Sequence, residues 1–385
     1  MSDNYVLLTG ATGLLGRYLV RDLLDAGDRI ACVVRDSRTM PAAERVEAMM
    51  QTWERLLERP MPRPVVLTGD ITQPMLGLDE DSLEWVRDHC DAILHNAASL
   101  TFHSAPYDEE PYRSNVRGTQ NVLDLARETG IRDVHHVSTA YVCGLRRDLV
   151  KEDELDVGQQ PSNDYERSKI QAEKLVRQAD FLSPPTIYRP AIIVGDSRTG
   201  FTTTFHGFYA MLRIVYTMAM QAERDENGII FDRVRVTLDG TEKKNLVPVD
   251  WVSAAITHIF RSPEHHGRTY HLAQPRPVTA ELLKQVIEDV NGVRGVEFVG
   301  ADTTLDDATE SEQLFYEHMQ TYDAYWRDDP TFDMTNTLSA CPHLPCPELG
   351  YDELTFLAKA AIELGFRWKD RLDVRRAAEV AAADS

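Results

Sequence analysis

In the stretch NDYERSKIQAE, Tyr165 and Lys169 stand four residues apart in a helical pattern, which puts both on one face of a helix. An ammonium beside a phenol favours phenolate and draws its pKa down from about 10, giving a proton donor or acceptor usable near neutrality. Upstream, HVSTAYVCG ends a strand and leaves Ser138 and Thr139 at the carboxyl edge of a sheet, where open α/β sheets bind their ligands. Three pieces in this order argue for a site.

A second pattern with chemistry in it opens the chain. LTGATGLLG, residues 8–16, carries glycines at Gly10, Gly13 and Gly16. Glycine at such a turn permits positive φ and lets a pyrophosphate approach main-chain N–H groups at the positive end of a helix dipole, while a third glycine lets helix and strand pack closely. Gly10, Thr12, Gly13, Leu14, Leu15 and Gly16 are therefore the expected dinucleotide cradle. Where NAD is bound, an acid usually ends the second strand and holds the ribose 2′-hydroxyl. Here VVRDSR has Val34 at that place and Arg35 next. A guanidinium fork suits a 2′-phosphate, with Arg38 to assist, so NADPH is expected over NADH. Asp36, one place further on, is the residue that argues the other way.

These residues need elements to hold them. A short apolar strand (YVLL), the glycine turn, an amphipathic helix ending at Gly27 and a second strand (RIACVV) form a βαβ unit. Further apolar runs follow, separated by helical segments: PVVLTGD, AILHNAAS, VHHVSTAYV and PTIYRPAIIVG. Continuous apolar strands alternating with helices predict an α/β fold, a doubly wound parallel sheet over residues 1–200. Residues 201–370 read as a smaller, mostly helical substrate-binding lobe, interleaved with the first because a strand pair and helix near 245–260 return to it. That lobe is expected to hold the strand RTYHLA and helices near 281–291 and 351–364. Residues 371–385 read as an exposed helical tail.

A chain of 385 residues with 43% hydrophobic and 27% charged residues has the makings of a self-sufficient core. Its net charge of −21 argues against non-specific nucleic-acid binding. Five cysteines without a C-x-x-C pair suit a reducing compartment, and no basic, apolar leader precedes the first strand. No run of about 18 apolar residues suggests a membrane span, so a cytoplasmic protein is expected.

The chain resembles the extended short-chain dehydrogenase/reductase superfamily along nearly its whole length, through TGATGLLG, GDI at 69–71, HNAA at 95–98, SNVRGTQNVLDLA, STAYV, the Tyr165/Lys169 pair, YRPAIIVGDSRTG and NLVPVDWVS. Within it, STAYV, RPAIIVGDSRTG and DDPTFDMTNT are similar to the thioester reductase and fatty acyl-CoA reductase branch. The resemblance implies that Tyr165 is the general acid, that Lys169 tunes it and binds the nicotinamide ribose, and that Thr139 hydrogen-bonds the reacting carbonyl. It further implies Asp70 and Ile71 beside the adenine, Ala97 and Ala98 near the adenosine ribose, and Pro190, Ile192 and Ile193 near the nicotinamide. Asn115 matches a position that supports the site's backbone.

Such a site reduces an acyl thioester to aldehyde or alcohol, reduces a ketone, or runs in reverse as an alcohol dehydrogenase on a hydrophobic or polyketide-like metabolite. A catalytically silent NADP-sensing protein would not need Thr139, Tyr165 and Lys169 together. The substrate would be a free CoA ester, a carrier-bound acyl chain presented in trans, or a small ketone; a homodimer fits the class. The aromatic and methionine-rich stretch 205–220 is either core or the lining of an acyl pocket. Arg146 and Arg147 are candidates for docking an acidic carrier protein. His103 and His206 are placed near the substrate cleft. Cys143 lacks an activating neighbour. CPHLPC, with Cys341, His343 and Cys346, matches no zinc pattern, and no metal is expected.

Overall fold

Tyr5–Thr9 is buried along almost its whole length, with Leu7 and Leu8 fully enclosed on opposite faces of the strand. A strand covered on both sides needs apolar residues at every position, which is why the early strands read as unbroken apolar runs. The computed structural model describes residues 4–102, 106–319 and 328–371; His103 and the tail beyond Arg371 lie outside them.

The first part of the chain runs β1 (Tyr5–Thr9), α1 (Leu14–Asp25), β2 (Arg29–Val34), α2 (Ala42–Leu57), β3 (Val65–Thr68), α3 (Glu80–His89), β4 (Cys90–His95), α4 (Gly118–Thr129), β5 (Asp133–Val137), β6 (Leu149–Val150), α5 (Asp164–Gln178), β7 (Thr186–Pro190) and β8 (Ile192–Val194). There follow α6 (Phe208–Ala219), β9 (Ile230–Val236), β10 (Lys243–Lys244), β11 (Leu246–Pro248), α7 (Val249–Phe260), β12 (Thr269–Leu272), β13 (Val278–Thr279), α8 (Ala280–Asn291), β14 (Val293–Phe298), α9 (Glu310–Met319), β15 (Thr331–Phe332), α10 (Thr335–Ala340) and α11 (Tyr351–Glu363).

Seven strands form one parallel sheet in the order β12-β7-β5-β4-β1-β2-β3. Leu8, Ile30 and Cys32 face a core built with α1, α2 and α7. Leu7, Ala31 and Ile93 face the opposite core, which α3, α4 and α5 close through Val86, Val122 and Val176. A third core joins α6, α8 and α11 around Phe208, Leu212, Leu283 and Leu357. The β9–β14 pair and α9 add a fourth around Val234, Val236 and Phe315.

Three details differ from the sequence expectation. PTIYRPAIIVG is two strands: β7 lies in the large sheet, and β8 leaves it to pair with β11. RTYHLA supplies β12 at the edge of the large sheet, not a strand of the smaller lobe. The expected pair within RVRVTLDGTEKKNLVPVD does not form, because β9 pairs with β14 while β11 pairs with β8. Pairing over such distances is decided by packing partners that local periodicity does not reveal. Among the described residues no helix is long and apolar enough to cross a membrane.

Candidate active site

From β1 the chain crosses to β2 on one side, whereas β4 lies on the other, so the connections diverge at the carboxyl ends of β1 and β4. Open α/β sheets have their crevice at such a switch point. A cleft of about 530 Å³ lies here, lined by the glycine loop, the ends of β2 and β4, Thr139, Tyr165, Lys169 and the β7–β8 junction.

The loops at the crevice are knitted together tightly. Ala97 N–H donates to Thr9 Oγ1 (3.2 Å), Asn96 Nδ2 donates to Gly10 O (3.2 Å), and Thr9 Oγ1 pairs with His95 Nδ1 (2.8 Å). Burial holds His95 down to about 3, so it stays neutral in this chain of hydrogen bonds. Gly10 has φ +75°, and a Cβ there would lie 2.7 Å from the Ala97 backbone. At Gly16 a Cβ would lie 2.0 Å from Gly10 O, so α1 approaches the loop only without a side chain. Gly13 caps α1 without a side-chain hydrogen bond, and the first turn carries no acid. The positive end of the helix thus faces the cleft uncompensated, as an anionic pyrophosphate requires.

At the end of β2, Arg35 is exposed and lies 3.9 Å from Asp70 Oδ2. Asp36 is turned away: its carboxylate accepts from Ala42 N–H (2.8 Å) at the start of α2. Arg38 is exposed and does not line the cleft. Arg45 does, reaching from the first turns of α2 to Arg35 O (2.5 Å) and Thr12 Oγ1 (3.2 Å). Burial and the neighbouring Arg35 both push its pKa down, against the opposing pull of the Asp36 and Asp370 carboxylates. No motif pointed to Arg45; its one signal is a basic residue in the opening turns of the helix that follows the second strand. Asp70, Ile71, Ala97, Ala98, Pro190, Ile192 and Ile193 all line the cleft.

Thr139 and Tyr165 meet at the other end. Thr139 ends the stretch after β5 and caps a single turn, its oxygen accepting from Tyr141 N–H at 3.3 Å. Its side chain is hydrogen-bonded to the Tyr165 phenol. The phenol departs from expectation. It is pushed up to about 12, mainly by burial, with the Glu166 carboxylate adding to the effect and the Thr139 hydrogen bond opposing it. Lys169 is buried and donates to Val137 O (2.9 Å). Desolvation takes it down to about 8, against the pull of Glu173. Burial, rather than the ammonium, decides the state of Tyr165, which holds its proton at neutral pH.

The residues that fix this geometry came only partly from sequence. Asn115, fully buried, accepts from Ser99 N–H (2.7 Å) and donates to Ser99 O (3.1 Å) and Ser168 Oγ (2.9 Å); Ser168 in turn donates to Tyr165 O (2.7 Å). It ties the loop after β4 to the helix turn that carries Tyr165. Phe102 sets its ring against Tyr165, with centroids 5.3 Å apart. His206 lines the cleft and faces Phe102 edge-on.

Other candidates lie elsewhere. Arg146 gives its charge to Asp148 (2.8 Å) and Glu154 (2.7 Å), so of the two arginines Arg147 is the exposed one. Burial pushes the Cys143 thiol up, away from thiolate chemistry. Cys341 is buried and its thiol raised to about 11, while His343 stacks edge-on against His258. Among the described residues Asp133, His135 and His266 bring three possible ligand atoms within 4.8 Å of one another. They sit at the start of β5 and beyond, at the opposite end of the sheet from the cleft; His135 Nε2 lies 3.3 Å and His266 Nδ1 3.7 Å from the Asp133 carboxylate, and burial holds the His135 pKa below its ordinary value.

The profile of the male sterility protein family, a family of NAD-binding domains, matches residues 8–256, more than half of the chain. Over 294 residues the chain is 31% identical to a linear gramicidin synthase of Brevibacillus parabrevis, covering 74% of this chain and 5% of that one. It is 27% identical to nonribosomal peptide synthetase asaC of Aspergillus flavus, covering 87% of this chain and 34% of the other. Aldehyde reductase lnaA of the same fungus is 27% identical over 89% of this chain and 34% of its own. The chain thus spans about a third or less of these relatives. Among solved structures, the terminal R domain from the myxalamid PKS-NRPS pathway superposes with a TM-score of 0.75 and 29% identity, over 96% of this chain and 93% of that one. A UDP-glucuronic acid 4-epimerase from Bacillus cereus, solved with NAD, shares the fold at TM-score 0.62 and 16% identity. With the glycine cradle, Thr139, Tyr165 and Lys169 gathered in one cleft, the chain belongs to the male sterility protein family of NAD-binding domains, within the thioester reductase branch of the extended short-chain dehydrogenase/reductases.

Proposed function

We propose that this chain reduces an acyl thioester, carried by CoA or by a carrier protein, to the aldehyde or alcohol, using NADPH. The observation that carries the reading is the Thr139–Tyr165 hydroxyl pair in the same cleft as the glycine loop, with the phenol held protonated by burial. Arg35 and Arg45 support the choice of NADPH: two guanidinium groups share the end of β2 while Asp36 caps α2. The relatives named as peptide synthetases and aldehyde reductases support a thioester and an aldehyde.

When bound, the nicotinamide supplies a hydride to the acyl carbon. The chain's own residues do the rest. Thr139 and Tyr165 donate hydrogen bonds to the oxygen on which negative charge develops. Tyr165 then gives that oxygen its proton, and Lys169, held against Val137 O, supplies positive charge beside the cofactor ribose. As the carbonyl reforms, the C–S bond breaks, and the hydroxyl proton ends on the departing thiol. Release of the aldehyde, or a second reduction to the alcohol, completes the reaction. A protonated phenol favours reduction over the reverse oxidation, which needs a base at the same atom.

The test is oxidation of NADPH with a panel of acyl-CoA and carrier-bound thioesters, aldehyde being trapped as formed. Turnover of thioesters is expected, with Tyr165→Phe lowering kcat by about 10²–10⁴-fold while leaving the Kd for NADPH within about twofold. Turnover of ketones but of no thioester would overturn the reading.

A further inference from the structure

Beside the reacting end of the cleft lies a second, smaller pocket of about 100 Å³, within the lobe formed by α6, α8, α9 and the β9–β14 pair. Ile192 and Gly207 line both spaces, so the two adjoin where the acyl group of a substrate would leave the catalytic hydroxyls. Among the described residues the lining is apolar apart from three charged ones; Phe208, Met211, Val236, Leu283, Phe315 and Met319 form much of it. Each charged residue is already paired within the protein. Lys244 lies 3.5 Å from Asp329, Lys284 lies 3.0 Å from Glu281, and Glu288 accepts from the N–H groups of Gly295 (3.1 Å) and Val296 (3.0 Å).

We infer that this pocket takes the distal part of an aliphatic acyl chain, and that the chain's thioester substrates are acyl rather than peptidyl. The inference deepens the thioester reading and rests on it. A peptidyl group brings amide N–H and C=O groups, whose burial without partners costs far more than an alkyl chain gains, and the described residues of the lining offer no unpaired charge to meet them. An alkyl chain needs only apolar surface, and each methylene removed from water strengthens binding about fourfold. Met211 and Phe315, from α6 and α9, are part of its wall. The α6 stretch is therefore both core and lining: Phe208 belongs to both, Tyr209 and Leu212 to the core, and Met211 and Val215 to the pocket wall.

The experiment measures kcat/KM of the full chain for straight-chain acyl-pantetheine thioesters from four to twelve carbons and for dipeptidyl-pantetheine thioesters. It is paired with calorimetric binding of octanol and decanol to the NADPH complex. Efficiency is expected to climb about threefold to fourfold per methylene up to a limiting length, with dipeptidyl esters at least tenfold poorer than acyl esters of equal length. Met211→Trp fills the pocket, and should cut efficiency for the longest chains at least tenfold while leaving four-carbon esters and NADPH affinity unchanged. Phe315→Ala should move the optimum to longer chains. A flat length profile, equal use of dipeptidyl esters, or a Met211→Trp profile identical to the parent's would each overturn the inference. If no thioester turns over but the alcohols bind and Met211→Trp abolishes that binding, the thioester reading fails and the apolar pocket stands. If the alcohols do not bind, the pocket assignment fails.

Discussion

Tyr165 and Lys169 respond to the same burial in opposite senses, because desolvation penalises whichever form is charged. The phenol rises to about 12 and stays neutral, while the ammonium falls to about 8 and sits close to losing its charge. Reduction should therefore decline as pH rises through about 8, well before Tyr165 ionises; a pH profile of kcat/KM flat to pH 10 would show that Lys169 is not the titrating group. The same shift bears on stability. A lysine whose folded pKa lies below its unfolded value of 10.5 opposes folding at pH below about 8, and the penalty fades as pH climbs from 8 toward 10.5. Lys169→Met is expected to abolish reduction yet raise the melting temperature at pH 7, the gain shrinking toward pH 10. An unchanged or lower melting temperature would show that the buried ammonium costs the fold nothing. Arg45 is the other residue with a clear expectation. Arg45→Ala should weaken NADPH binding by about tenfold and leave NADH within about twofold, whereas an equal loss for both would remove it from the 2′-phosphate.

At the scale of elements, the catalytic turn of α5 is held from two sides, by its own Lys169 donating to Val137 O of β5 and by Asn115 through Ser168. Asn115→Ala would leave the half-buried Ser99 N–H and C=O without this partner and remove one of the two hydrogen bonds of the Ser168 hydroxyl, at a cost of about 1–3 kcal/mol. It should lower kcat more than it raises the KM for NADPH, because the loop it anchors borders Tyr165 and not the arginine end. Loss confined to stability, with kcat intact, would make Asn115 purely structural. The βαβ start, the Tyr165/Lys169 face and the place of Thr139 were legible because each rests on local spacing: a turn, a helical period, a strand end. Arg45 was not, since it lies ten residues from Arg35 and reaches it only because α2 starts beside the β2 terminus. The break at Ala191 was hidden for a related reason. Ala191 N–H bonds to Leu272 O and Ile192 N–H to Asn245 O, so two distant strands compete for one apolar run and split it. The state of Tyr165 was misread from spacing alone, because four residues on a helix say nothing about how deeply the pair is buried.

At the scale of the molecule, the late chain completes the early fold. α7 packs along α1, with Ser253 Oγ donating to Asp22 (2.6 Å), and Trp251 Nε1 donates to Leu344 O at 2.9 Å. Val247, Trp251, Val252 and Ile256 share one core with Leu8, Tyr18 and Ile30. β12 forms an edge of the seven-stranded sheet, and Arg17 on α1 reaches Asp370 at 2.8 Å. The nucleotide-binding half consequently lacks a finished hydrophobic face of its own. A fragment ending at residue 200 would leave the face of α1 on which α7 packs and the β7 edge without their covers, an apolar patch and an unpaired strand that favour aggregation. Such a fragment is expected to show no cooperative thermal transition and no NADPH binding, although it holds the glycine loop, Thr139, Tyr165 and Lys169. The full chain should melt in one transition that NADPH moves upward, by about 2.7 kcal/mol at a hundredfold excess over its Kd. A soluble fragment that melts cooperatively and binds NADPH would mean that the two halves are separable, and that the return of α7 is an attachment rather than part of the core.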